Sequence, residues 1–282
     1  MGLDVPLPLE GGGSGGGCNE REARVTTLKA VLALMDFSDS HPRLIKYLAR
    51  PIANAPVLSA RLPVMVRAYM GATSFDIHDV DVENGRYGIG GVDEIMFGSE
   101  LLRVLHLVLA RMGPAEQERA LYDIGFLTGY YEAKDAVRKG RWAPRVLVPL
   151  ITSAGLLERV RSDPTMAEFL NKVLATESRI IINEGGWGSV EEFDFSSTPL
   201  RAVLANSQEA AWMGPSDSPV CHYFAGGAAG HASAITGEFF EGREVECAAA
   251  GARRCVFEMT PAVESEAELE RREMAAALLA LR

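Results

Sequence analysis

The chain has 282 residues, of which 48% are hydrophobic and 23% are charged, which are the proportions of an ordinary soluble globular protein. Its 28 basic residues are outnumbered by 38 acidic ones, so it lacks the broad positive surface that binding to a nucleic-acid backbone requires. No apolar run approaches the ~20 residues that cross a bilayer, and the N-terminus carries no secretory signal. We therefore expect a cytoplasmic protein that contacts neither nucleic acid nor membrane directly.

The first 18 residues contain the run GGGSGGG and two prolines but no apolar periodicity, so they predict a flexible leader. Residues 19–74 predict a helical N-terminal segment. Its strongest signal is the apolar stripe that Val25, Leu28, Leu32 and Met35 form at helical spacing. Prolines interrupt the sequence that follows this stripe.

A β-hairpin is predicted by FDIHDVDVENGRYGIGG, which begins at Phe75 and alternates polar and apolar residues. At its centre, Asn84 and Gly85 form the strongest short signal for a two-residue turn, in which both residues have a positive φ. Helical spacing follows, ends at Gly113 and resumes at Pro114. This pattern predicts two packed helices.

Later segments are read from local composition. SRIIINEGGWGSVEEFDFS, from Ser178, predicts a strand, a glycine-rich turn and a second strand, whereas PLRAVLANSQEAAWMG, from Pro199, predicts a helix. Small residues recur as Gly-x-x-x-Gly at Gly125 and again at Gly226, which indicates tight helix packing. Strand-like REVECAAAG and RCVFEM precede a terminal helix over 261–282. The mixed order of elements predicts an α+β fold.

The last third of the chain concentrates groups that bind metals. Cys221, Cys247 and Cys255 are three of only four cysteines, and Glu244 lies three residues before Cys247. Three thiolates and one carboxylate or imidazole satisfy a tetrahedral zinc ion, and AAAGARR is long enough to return Cys255 to Cys247. The spacing leaves other candidates for the fourth donor, which are His222, His231, Glu238 and Glu246.

Three buried apolar thiols explain the same spacing equally well, because free cysteine is among the most buried residue types. A disulfide is the weaker third alternative, since a reducing compartment keeps cysteines as thiols. The residues alone therefore leave a metal site and a set of buried thiols as equal hypotheses.

Three stretches resemble the 4-vinyl reductase domain family: NSQEA from Asn206, PVCHYFAGGAAGHASAITG from Pro219 and REVECAAAGARRCVFEM from Arg243. They are most similar to the N-terminal effector-sensing module of bacterial activators that respond to phenol, cresol and xylene. GRYGIGG and YDIGFLTGYYEAKDA resemble the earlier half of that module, so the similarity spans residues 75–260.

The resemblance implies helices packed on a twisted antiparallel sheet, a fold also seen in a subunit type of vesicle-tethering complexes. It also implies a zinc-stapled C-terminal hairpin, with the ion held by Cys221, Glu244, Cys247 and Cys255. Four protein donors leave no coordination position for water, so such a zinc ion is structural rather than catalytic.

A buried pocket close to the zinc is implied by the same resemblance. Where the aromatic sensors carry GYxxGY, this chain has GGAAGH, and Gly242 replaces a further pocket tyrosine. These changes predict a larger cavity, whose ligand is hydrophobic but not simple phenol. The candidate ligand contacts are Trp212, Tyr223 and His231.

The expected function is thus a non-catalytic, sensor-like domain that binds a hydrophobic small molecule and contains structural zinc. The resemblance implies a homodimer. In the aromatic-responsive activators an ATPase and a DNA-binding unit follow the sensor, so here we expect either that those units have been lost or trimmed or that signalling passes to a separate partner. One alternative is a tetrapyrrole-processing reductase or carrier component, although the chain has no nucleotide-binding glycine fingerprint after a strand. The other is a scaffold or assembly module without a ligand.

Overall fold

The computed structural model describes residues 17–94, 100–139, 141–145, 147–152, 155–263 and 266–280. The helices are α1 (Gly17–Ser40), α2 (Pro42–Leu44), α3 (Arg50–Ala53), α4 (Pro56–Ser59), α5 (Val64–Tyr69), α6 (Ser74–Ile77), α7 (Glu100–Leu109), α8 (Pro114–Lys139), α9 (Val148–Ile151), α10 (Leu156–Ser162), α11 (Pro164–Ser178), α12 (Gln208–Met213), α13 (His222–Thr236) and α14 (Glu266–Ala280). The strands are β1 (His78–Asp81), β2 (Arg86–Ile89), β3 (Val92–Glu94), β4 (Ser189–Asp194), β5 (Leu200–Ala205), β6 (Phe240–Glu246) and β7 (Cys255–Pro261). None of the helices in the described ranges combines the length and the apolar character needed to cross a membrane.

The strands form two antiparallel sheets, which confirms the predicted mixture of helices and antiparallel strands. The smaller sheet has the order β1-β2-β3, and the larger has the order β4-β5-β7-β6. Helix α13 packs on β6 and β7, and α8 packs on the outer side of α13. The main core lies among these elements and α11, where Phe126, Phe169 and Phe257 are fully buried.

The crossing of α8 and α13 is close because both helices carry glycine at the contact, as predicted. The four residues are Gly125 and Gly129 in α8, and Gly226 and Gly230 in α13. A Cβ atom added at any of them would lie 2.0–2.2 Å from a backbone oxygen of the facing helix. Only glycine permits this approach, so these positions fix how α13 lies over the rest of the fold.

Two predictions from local composition are wrong. The segment from Ser178 does not begin with a strand, because α11 continues as a π-helical turn over Arg179–Asn183 that buries Ile180. Residues 200–205 form strand β5 rather than a helix. Strand β5 is buried on both faces at Ala202, Val203 and Leu204, so its short apolar run does not alternate, and such a run cannot be told from a helix by periodicity.

The predicted hairpin is confirmed, but its turn differs from the expected one. Strands β1 and β2 pair as predicted, with Asp81 opposite Arg86. Of the two turn residues only Gly85 has a positive φ, of 63°. Asn84 instead donates its backbone N–H to the Asp81 carboxylate at 3.1 Å, so a side chain stabilises a four-residue loop where a two-residue turn was expected.

The N-terminal helices pack on the same core as the larger sheet. Leu28, Leu32 and Met35 are buried in that core, which confirms these three positions of the predicted apolar stripe, whereas the Val25 side chain lies outside the described part of the chain. The predicted leader lies outside the described residues except for positions 17 and 18, which begin α1. The predicted boundaries between leader, helical segment, domain and terminal helix remain predictions.

Helix α14 docks on α8 mainly through charged side chains. The Arg271 guanidinium donates to the Asp123 carboxylate at 3.1 Å and lies 5.2 Å from the centre of the Tyr122 ring. Arg272 lies 4.5 Å from the Phe239 ring centre, where its charge faces the ring electrons. The terminal helix therefore rests on an aromatic surface without burying an extended apolar stripe of its own.

Candidate metal centre

The four predicted metal donors come from two neighbouring pieces of structure. Cys221 is the residue immediately before α13, and Glu244 lies in β6. Cys247 follows the end of β6, and Cys255 is the first residue of β7. The hairpin formed by β6 and β7 thus supplies three donors, and the start of α13 supplies the fourth.

A β-bulge is what turns Glu244 and Cys247 to the same side. In a regular strand, residues three apart point to opposite faces of the sheet. Here Glu244 pairs with Phe257, and Glu246 pairs with the adjacent residue of β7, Val256. Two steps along β6 thus correspond to one step along β7, so β6 contains one extra residue. The bulge keeps Glu244 and Cys247 buried while Glu246 is exposed.

The geometry of the cluster fits a tetrahedral metal ion. One ligand atom from each of the four residues lies within 4.8 Å of all the others. The Sγ atoms of Cys221 and Cys255 are 3.7 Å apart, and zinc–sulfur bonds of about 2.3 Å in a tetrahedron place two sulfurs about 3.8 Å apart. A disulfide holds its sulfurs at about 2.05 Å, so these cysteines are free thiols.

Glu244 shows the clearest sign of a missing partner. One carboxylate oxygen, Oε2, accepts the backbone N–H groups of Val220 at 3.0 Å and Cys221 at 2.8 Å. The other oxygen, Oε1, is buried and has no hydrogen-bond partner among the described residues. Burying a carboxylate oxygen without a partner is costly, and a metal ion beside the three sulfurs would remove that cost.

The local environment distinguishes the three thiols. Burial raises the pKa of Cys247. The hydrogen bond between Cys221 and Cys255 raises the pKa of Cys221 and lowers that of Cys255, and the N–H of Ala248, 3.4 Å from the Cys255 sulfur, acts in the same direction on Cys255. Cys255 is therefore the thiol that ionises most readily, whereas the other two need a nearby cation to be thiolates.

The remaining candidates for the fourth donor lie elsewhere. Glu238 and Glu246 are exposed. His222 faces Glu118 at 3.9 Å, and His231 faces Glu177 at 3.5 Å. None of these side chains belongs to the cluster that the described residues form around the sulfurs.

A second buried carboxylate, which sequence reasoning missed, positions Cys221 from the other side. Glu209 in α12 is 3% exposed and accepts the backbone N–H groups of Tyr223 and Phe224, each at 3.0 Å. It also lies 3.2 Å from Nε2 of the buried His106. A carboxylate on the first N–H groups of a helix is favoured by the helix dipole, so Glu209 anchors the start of α13. The only sequence signal was the Ser-x-Glu pattern in NSQEA.

Replacing Glu209 with glutamine should lower the free energy of unfolding by about 1–3 kcal/mol, because one buried N–H of α13 then faces an amide NH₂ instead of an oxygen. Chemical denaturation of both proteins measures this difference. Replacing the exposed Glu83 with glutamine is the control and should change stability by less than about 0.5 kcal/mol. Equal stability of the Glu209 variant and the parent would contradict the anchoring role.

Of the three predicted ligand contacts, His231 lines one of the two cavities described among residues 17–280. That cavity has a free volume of about 50 Å³ and lies among α5, α8, α9, α11 and α13. Tyr223 instead stacks on Trp187 with ring centres 5.5 Å apart, and burial raises its pKa to about 12. Trp212 is half-buried on α12, and neither it nor Tyr223 belongs to the described walls of the cavity.

The expected enlargement of a pocket near the metal does not occur at Gly242. A Cβ atom at this position would lie 2.3 Å from the backbone oxygen of Ala225, and the Gly242 N–H donates to the Tyr122 hydroxyl at 2.8 Å. The glycine has therefore let β6 move against α13, so that backbone occupies the space a large side chain would fill.

A protein-family model matches the region of the chain that contains this cluster. Residues 200–261 match the vinyl-4-reductase domain. The matched segment runs from β5 to the end of β7 and includes all four candidate metal donors. None of the curated proteins compared with the chain matches it in sequence.

Two solved structures are similar to this chain. One is the phenol-responsive sensory domain of the transcription activator PoxR with phenol, which is 20% identical, with a TM-score of 0.45, over 73% of this chain and 92% of that one. The other is a vinyl-4-reductase family protein from Methanocaldococcus jannaschii, which is 19% identical, with a TM-score of 0.27, over 49% of this chain and 92% of that one.

Proposed function

We propose that this chain is a non-catalytic, sensor-like domain that binds a hydrophobic small molecule other than simple phenol and is stabilised by structural zinc. The observation that carries the proposal is the buried cluster of four potential metal ligands beside the start of α13, which are Cys221, Glu244, Cys247 and Cys255. The same helix borders, further along, the cavity that contains His231. The vinyl-4-reductase domain match over the segment that supplies all four donors supports this proposal.

Zinc is the metal that suits this set of donors. Thiolates favour zinc over magnesium or calcium, which prefer oxygen ligands, and the four donor atoms lie within 4.8 Å of one another. The three sulfurs and the free Oε1 of Glu244 would occupy all four positions of the ion. Such a site ties the β6–β7 hairpin to α13 and leaves no position at which water could be activated. A structural role follows, which is why we do not assign catalysis to this site.

Helix α13 connects the proposed zinc to the cavity. His231 lies ten residues after Cys221, which corresponds to about 15 Å along an α-helix. The ion would hold one end of the helix against the sheet, and a ligand would contact the half that contains His231. A ligand could therefore act on the rest of the domain through a helix whose other end is fixed.

The alternatives rank lower. A tetrapyrrole-processing role would need a wide cleft, and the two described cavities have free volumes of about 50 and 240 Å³.

An assembly role has one observation in its favour, which is that α7 exposes apolar side chains. These are Leu101, Val104, Leu107 and Val108. The same exposed residues are compatible with the homodimer that the family resemblance implies, and we propose that the domain is a cytoplasmic homodimer with a separate signalling partner.

Native mass spectrometry of protein purified without added metal tests the structural zinc and the homodimer of this proposal. We expect a dimer that carries one zinc ion per chain, and a denatured spectrum of the same sample should show the metal-free chain mass. Substoichiometric zinc would contradict the structural metal. A monomer at high protein concentration would contradict the homodimer but not the zinc site.

A further inference from the structure

The cavity beside His231 has apolar walls and one ionisable pair. Among the described residues that line it, the ionisable side chains are Glu177 from α11 and His231 from α13. The Nε2 atom of His231 lies 3.5 Å from Oε2 of Glu177. The rest of the wall is mainly aliphatic and aromatic, for example Met65, Trp142 and Leu170. A ligand here would meet one ion pair in mainly apolar surroundings.

Negative charge predominates around this pair. Burial, together with the carboxylates of Glu94 on β3 and Glu177, raises the pKa of Glu132 on α8 to about 7, and His231 opposes this shift. Glu132 is an exposed residue that lines neither cavity, so solvent weakens its electrostatic interaction with the pair. Burial lowers the pKa of His231, but the carboxylates of Glu177 and Glu132 outweigh it, so that this pKa is raised. One imidazole thus faces more than one carboxylate.

A second cavity lies beside the first one and is more open to solvent. It has a free volume of about 240 Å³, and both cavities are lined by Val137, Thr152 and Ile235. Their combined free volume lies just below the range of small-molecule sites, which is roughly 300–1,000 Å³. The shared apolar residues could contact the body of a ligand that extends from one cavity into the other.

The outer cavity contains one opposing charge. Its wall includes Thr236 and Gly237, where α13 ends and its last carbonyl groups carry partial negative charge. Lys134 also lines it, with its ammonium group 5.5 Å from the centre of the Tyr130 ring, and burial lowers the pKa of this lysine. Lys134 could therefore attract an anion at the mouth, whereas the inner end attracts a cation.

We propose that the joined cavities select an apolar molecule that carries a cationic amine, whose ammonium group lies at Glu177 and whose apolar body lies along Val137 and Ile235. The inference rests on the proposed ligand-binding function and names its ligand class. An ammonium group would balance the excess of carboxylates at the inner end, where a carboxylate or phenolate would be repelled. A neutral alcohol would fill the same apolar space without that balance.

Isothermal titration calorimetry with hexylamine, hexan-1-ol and hexanoate tests this selectivity, because the three probes share an apolar chain and differ in charge. With the full zinc-loaded chain at neutral pH, hexylamine should bind at least about tenfold more tightly than either other probe. Glu177→Gln should remove this preference while leaving hexan-1-ol binding unchanged. Glu132→Gln should also weaken the binding of hexylamine. This second variant keeps the test decisive if the Glu177 variant does not fold.

Lys134→Met is the matched control, since it removes the opposite charge from the outer cavity. It should leave hexylamine binding intact or improve it. Tighter binding of hexanoate that is lost in Lys134→Met, or equal binding of all three probes, would overturn the cationic ligand class while leaving small-molecule binding in place. If none of the probes binds, both this inference and the ligand-binding part of the proposed function fail.

Discussion

Replacing Cys247 with alanine should abolish stoichiometric zinc binding and lower the free energy of unfolding by about 3–5 kcal/mol, because the remaining thiolates and the Glu244 carboxylate would be left buried without a cation. For a chain of this size the melting temperature should fall by about 10 °C. Thermal unfolding followed by circular dichroism, together with metal analysis of the purified protein, measures both effects.

Two variants control for the nature of the substitution. Cys18→Ala removes the fourth cysteine of the sequence, which the family resemblance does not include among the donors, and it should retain one zinc ion per chain. Glu246→Gln changes an exposed carboxylate two residues from Glu244 and should also retain the metal, whereas Glu244→Gln should weaken its binding. Normal folding and unchanged stability of the Cys247 variant would argue strongly against structural zinc.

Replacing Gly226 or Gly230 with alanine should destabilise the protein by about 3 kcal/mol or more, which is at or above the upper end of typical overpacking costs. The new Cβ atoms would lie 2.0 Å from the backbone oxygens of Tyr122 and Phe126, and backbone atoms cannot move aside as a flexible side chain can. Helices α8 and α13 would have to separate. Chemical denaturation measures the loss, and retained zinc would show that the effect arises at the helix crossing.

Gly227→Ala provides the matched control within the same helix. A Cβ atom here would meet only the backbone oxygen of Gly125, at 3.7 Å, which is an ordinary contact. Alanine favours a helix interior over glycine by about 1 kcal/mol, so this variant should be equally or more stable than the parent. If all three alanine variants are destabilised alike, loss of helix packing at Gly226 and Gly230 is not the cause.

The sequence could predict the parts of the fold that depend on local signals. Proline after glycine marked the start of α8 at Pro114, and the spacing of Leu28, Leu32 and Met35 marked α1. Strand β5 and the π-helical turn at Ile180 escaped the same reasoning, since a short run of apolar residues takes its conformation from the neighbours that bury it. In β5 those neighbours are β4 and β7, and β7 is distant along the chain.

The candidate metal site could likewise be predicted from the sequence only in part. Residue types and spacing identified Cys221, Cys247 and Cys255 as a group, but they left the fourth donor open between carboxylates and imidazoles. The bulge after Glu244 brings that carboxylate to the side of Cys247, and a bulge depends on how two strands pair. Glu209 was missed for a similar reason, because its partners are backbone N–H groups of a helix that lies 14 residues further along.

The sequence by itself determined which residues could donate to a metal, where the main helices lie, and which small residues let α8 and α13 approach each other. These features follow from residue type and short-range spacing, which are properties of the chain before it folds. Only the tertiary structure decided that Gly242 admits backbone instead of creating a pocket, and that Glu177 lies beside His231. Both are contacts between distant segments, and their geometry is set by how the elements pack together.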